Sequence, residues 1–163
     1  MKKVLLAIIS LSFLSASALS LKGGVHEEYI PNGFFGSWGV ISKLESSNNP
    51  VLFNRESRDI WTLSGHSNIL VLQNLESGAH SEITIKDKNK DGKTLKFQRE
   101  KNVDENGIKI KYKEVVSFEL FGNNFSGKDK FIVERYDKNN TLIKKDEATY
   151  LIEGVKLSGK SPK

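Results

Sequence analysis

The 163-residue chain has no cysteine, three histidines, three prolines and one methionine. The missing thiols exclude disulfides, cysteine nucleophiles and cysteine-ligated metals. His26, His66 and His80 show no metal-ligand spacing, and each reads as a surface imidazole. Serines are plentiful, yet none lies in Gly-x-Ser-x-Gly, and phosphate-cradle and dinucleotide fingerprints are absent too. No catalytic residue, cofactor or metal is therefore expected, and the chain is not expected to be an enzyme. Arginine is scarce beside lysine and forms no block, which argues against a nucleic-acid groove. No stretch keeps a helical period, and no apolar run is long enough to span a bilayer as a helix.

What is present first is a leader. Lys2 and Lys3, the apolar run Val4–Leu14 and the small residues Ala16-Ser17-Ala18 read as a signal peptide over residues 1–18. Cleavage after Ala18 would leave 145 residues, lower the formal net charge from +5 to +3 and send the protein to the periplasm or outside the cell. That length can bury a core without disulfides, and a cysteine-free chain fits bacterial export. Residues 19–33 form an irregular leader, and 34–160 a single domain.

Within that domain apolar residues recur at a period of two between turn signals. The longest run is Ile108–Phe121, where Ile108, Ile110, Tyr112, Val116, Phe118 and Leu120 share one face. Lys109, Lys111 and Lys113 share the other. Eight to ten strands at hairpin spacing are expected, including separate strands over 141–153 and 155–160 and a loop over 101–107. The fold class is all-β, an antiparallel up-and-down barrel or a sandwich. Val51-Leu52-Phe53 is an apolar patch suited to a loop over an opening. The similarity between 122–128 and 154–160 is recurrent hairpin chemistry rather than a repeat.

The pivotal stretch is Gly33–Ile41, with Gly36-Ser37-Trp38 inside it. It resembles the Gly-x-Trp signature that opens the first strand of lipocalins, the calycin superfamily. The resemblance implies an eight-stranded barrel open at one end, often holding an apolar small molecule, with Trp38 plugging the other end and Gly36 beside it. Lipocalins also place an arginine on the last strand, over the tryptophan; that region here offers Lys156 and Lys160.

Several charged residues fall in phase with apolar faces. Arg99 follows Leu95 and Phe97; Arg135 follows Phe131 and Val133; Glu114 lies between Tyr112 and Val116; Asp129 precedes Phe131. Pointing inward, each needs a partner or a ligand. One expectation is a polar floor in an apolar cavity, with Arg99 or Arg135 meeting a ligand carboxylate and Glu114 orienting it. The plainer expectation is that these side chains lie at strand ends and reach water. Residues 87–92, Asp-Lys-Asn-Lys-Asp-Gly, match half a calcium loop, but Gln98 replaces the bidentate glutamate and the composition is that of a hairpin turn. The lysine strip on 109–113, with Lys128 and Lys130, could touch an acidic membrane surface; protecting an outer face from other chains needs fewer assumptions. No aromatic residues interleave with it, so nucleic acid is not expected as a partner.

Two functions follow. The first is a barrel that carries a small apolar or amphipathic ligand in a void lined by Trp61, Tyr112 and Tyr150. The second is a filled barrel, its core packed by Phe97, Phe118, Phe125 and Phe131. It would act through residues 45–57 and 19–33 as an interaction module or an inhibitor of an exported enzyme.

Overall fold

A computed structural model describes residues 32–66, 69–75, 78, 80–88 and 93–159. The expected signal peptide, most of the leader, the half calcium loop beyond Lys88, and Lys160 lie outside the described residues, as do the three imidazole side chains. After a 3₁₀ turn, Asn32–Phe34, come eight strands: β1 Gly36–Ser47, β2 Glu56–His66, β3 Ile69–Asn74, β4 His80–Lys88, β5 Thr94–Glu105, β6 Ile108–Phe121, β7 Asn124–Tyr136 and β8 Leu142–Ser158. Each pairs antiparallel with the next, and β8 returns to β1 (Gly39 opposite Val155, Ile41 opposite Glu153), so the sheet closes into a barrel. Closure removes the free edges on which other chains could pair.

The strands form where the period-two pattern predicts, because one face of each is apolar and must be buried. Three boundaries differ from the sequence reading. Gly33–Phe35 is not strand, since the 3₁₀ turn carries Phe34 into the core with no exposed surface. Residues 101–105 continue β5. The reversal is confined to Asn106-Gly107, both at positive φ (55° and 77°), as a two-residue Asn-Gly hairpin requires. Residues 142–158 are one strand, not two. Gly154 makes no turn; a Cβ there would lie 2.1 Å from Cε1 of Phe125, so the glycine makes room for a ring on β7.

Strand direction places Trp38, the β6–β7 turn and the end of β8 at one end of the barrel. The β1–β2 loop (48–55) and the β5–β6 and β7–β8 turns lie at the other. Aromatic rings fill the Trp38 end. Phe118 and Phe125 lie 4.5 Å apart between centroids, and Trp38 meets Phe125 edge-on at 5.2 Å. Phe34 and Phe97 both meet Phe118 edge-on, and Trp61 stacks on Phe125. Such pairs contribute about 0.5–1.5 kcal/mol each beyond the area they bury.

Candidate functional site

Two side chains lock the plug. The carbonyls of the 3₁₀ turn and the residue after it point at the barrel base, where Trp38 donates its indole N–H to the Phe34 carbonyl at 3.0 Å. The Lys156 ammonium donates to the carbonyls of Gly33 at 2.5 Å and Phe35 at 2.8 Å, and sits 4.5 Å from the centroid of the Trp38 ring. Desolvation draws the Lys156 pKa below the ordinary lysine value; the carbonyls and the ring face repay part of that cost. Replacing Lys156 by methionine keeps the stem and deletes the donors. It should cost about 1–3 kcal/mol of unfolding free energy in urea titrations, whereas arginine should largely restore it.

Above the aromatic base the interior turns polar. Alternation along β2, β5, β6 and β7 carries Asp59, Arg99, Glu114 and Asp129 inward at one level. Glu114 and Asp129 are buried, with 3% and 2% exposure. Arg99 and Glu114 are register partners on β5 and β6, and their side chains form an ion pair; Arg99 also donates to the Ser81 hydroxyl at 3.3 Å. Asp59 accepts from the Asn74 amide at 2.7 Å and from the Ser57 hydroxyl at 3.2 Å. The Oδ1 of Asp129 is buried without a hydrogen-bond partner among the described residues.

The burial marks these groups electrostatically. Desolvation brings Arg99 down to about 10, against the attraction of Asp129 and Asp59. Desolvation also pushes Asp129 up to about 7, opposed by Arg99 and reinforced by Asp59. Tyr150, opposite Asp129 on β8, is pushed up to about 12 by desolvation and by that carboxylate.

Nearer the open end the wall is apolar again. Leu44, Tyr112 and Phe131 are partly buried there, and Leu52 and Phe53 of the β1–β2 loop pack against the core. That loop is strapped to β8. Asn48 Nδ2 donates to the Lys145 carbonyl at 3.0 Å, its Oδ1 accepts from the Glu147 N–H at 2.7 Å, and the Ser47 hydroxyl donates to the Glu147 carbonyl at 3.0 Å. The sequence patch at 51–53 thus does lie over the barrel mouth, through buried Phe53, while Val51 stays exposed.

No protein-family model and no curated protein matches the chain.

The sequence-predicted residues separate into groups. Gly36 and Trp38 sit at the plug. Arg99 and Glu114 join the polar layer, with Tyr150 beside it. The expectation that Arg99 ends its strand is corrected: β5 runs on to Glu105, so Arg99 stays inside. Arg135 is separate, near the mouth, donating to Asp146 at 2.5 Å. Asp146 also accepts from Asn49 at 3.0 Å and lies 3.2 Å from Lys144; these bonds together hold its pKa below the usual value although burial opposes them. Both arginines expected to meet a ligand carboxylate thus have internal carboxylate partners. Trp61 belongs to the aromatic base, while Tyr112 stands at the mouth and the Tyr150 ring meets Phe131 edge-on at 5.7 Å. An open groove of about 470 Å³ lies at the rim among Asn102, Val103, Lys109, Ile110, Tyr136 and Asn140, away from Trp61, Tyr112 and Tyr150.

Asp59 went unrecognised as a site residue because Arg58 and Ile60 around it give no clean alternation. Only its neighbour Trp61 sets its phase. The lysine strip is partly paired across strands: Lys111 and Lys113 share Glu100 at 3.4 and 3.6 Å, Lys128 meets Glu45 at 2.8 Å, Lys130 meets Glu147 at 3.5 Å, and Lys109 donates to the Asn140 amide oxygen at 2.6 Å. Exposed pairs of this kind add little stability.

Proposed function

We propose that this is an exported binding protein of the lipocalin-like kind, whose barrel takes a small amphipathic molecule through the end opposite Trp38 and performs no reaction on it. The observation that carries this is the sequence of layers inside the barrel. A packed aromatic base lies beneath buried polar groups, and these lie beneath an apolar mouth of Leu44, Tyr112 and Phe131. A filled hydrophobic core has no need of charged side chains at half height, since burying them costs free energy. The lipocalin likeness is supported by the Gly36-Ser37-Trp38 stretch on β1 and by Lys156, which takes on β8 the place where lipocalins carry an arginine. Export is supported by the charge, apolar run and small residues of positions 1–18.

The packing of Phe97, Phe118 and Phe125 favours a second reading, in which the filled barrel acts on another protein through the 48–55 loop and its flanks. Native mass spectrometry of protein purified from its own source separates the two. Binding predicts a co-purifying small molecule, lost on mild denaturation. A co-purifying protein with no small molecule would overturn it.

A further inference from the structure

We infer that the polar layer holds the ammonium head of an amphipathic amine against Asp129, with the apolar tail directed under Phe53 toward the open end. This rests on the ligand-binding reading above and adds to it the sign of the ligand's charge. The sequence alone pointed the other way, toward an acid held by arginine.

The charge count decides the sign. Three carboxylates, Asp59, Glu114 and Asp129, enter the barrel at this level around one guanidinium, Arg99. Arg99 is engaged by Glu114, and Arg135 by Asp146. A ligand carboxylate placed here would face Asp59, Glu114 and Asp129, with one guanidinium already paired to Glu114. Lys101, two residues above Arg99 on β5, is half-buried nearer the mouth.

Asp129 is where a positive group fits. Its Oδ1 is an acceptor without a donor among the described residues, at 2% exposure. Asp59, by contrast, already has two donors. Desolvation also raises the Asp129 pKa, which Arg99 only partly opposes and Asp59 reinforces, so a nearby ammonium would favour its carboxylate form. Aromatic surface lies alongside in Tyr150, its register partner, and in Phe131, and ring faces favour cations over anions. Leu44, Leu52, Tyr112 and Phe131, partly buried and packed on the core, give an alkyl or aryl tail an apolar wall to lie against.

The test compares n-octylamine, n-octanol and n-octanoate by isothermal titration calorimetry on the full protein at neutral pH. The tails are equal, so the head group alone is varied. A charge-assisted hydrogen bond predicts that the amine binds about tenfold or more tighter than the alcohol, with the acid weakest. Asp129→Asn, checked for fold by circular dichroism, should bring amine and alcohol within about threefold of each other. Octanoate binding as tightly as octylamine, or an amine preference that survives Asp129→Asn, would overturn the assignment. The comparison on the unaltered protein stands whether or not the variant folds. Binding of all three without preference removes the charge assignment alone; binding of none removes the interior-ligand reading with it.

Discussion

Replacing Trp38 by alanine is expected to lower the unfolding free energy by about 3–5 kcal/mol, the range for truncating a large buried aromatic. Three interactions go at once. The ring leaves Phe125, its edge-on partner at 5.2 Å. The Phe34 carbonyl loses its donor. Lys156 loses the ring beneath its ammonium. A loss of that size is a large part of a small domain's total stability. The check is a urea titration followed by circular dichroism. Trp38→Phe should recover part of the loss, because the ring fills volume but has no N–H to donate. If alanine at 38 cost less than about 1 kcal/mol, in the range of a surface substitution, the plug would not be a plug.

Asp129→Asn should act in the opposite direction and depend on pH. The folded-state pKa of Asp129 stands at about 7, above the ordinary 3.8 of an exposed aspartate. Between those values the folded state holds a proton that the unfolded chain has released. Stability therefore falls as pH rises from about 4 to about 7 and stays low beyond, because the unfolded state binds fewer protons. Asparagine removes that slope. The variant should match the parent near pH 4 and exceed it by a few kcal/mol above about pH 7, since three pKa units correspond to about 4 kcal/mol and the new amide must still find acceptors. Asp59, Arg99, Glu114 and Tyr150 face the same space and remain in both proteins; Arg99 and Tyr150 lose the upward pull of the Asp129 charge in the variant. Asp146 and Glu147, whose pKa values are lowered, contribute the reverse slope at acid pH in both. Thermal melts across that range are the check; a variant less stable than the parent at alkaline pH would mean that the Asp129 charge is already compensated. A carboxylate whose removal stabilises the fold is the expected signature of a group kept for binding.

Much of the barrel was legible in the chain because its signals are local. Period-two alternation gave the inward phase of Arg99, Glu114, Asp129 and Arg135 and marked most strands. Gly-x-Trp marked the base. The Asn106-Gly107 turn was equally legible by its residue types, yet the charged run Lys101–Glu105 looked like loop, being strand with only Val103 to mark it. Gly154 misled for a different reason. Glycine signals a turn when its neighbours are sequential, but here the constraint is the Phe125 ring on an adjacent strand. Register carries the rest, and register lies between strands. Nothing local says that Arg99 falls opposite Glu114, that Asp146 takes Arg135, or that Lys156 reaches the carbonyls of Gly33 and Phe35. The polar floor could thus be anticipated from phase, while the sign of its unmet charge required the pairing.

A sheet closed on itself with Trp38 sealing one end is tested most directly by nuclear Overhauser spectroscopy on the Trp38 indole N–H. That proton should exchange slowly and show cross-peaks to the Phe125 ring and the Lys156 side chain, joining β1 to β7 and β8 across the closure. An indole proton in fast exchange with water and without either cross-peak would contradict it.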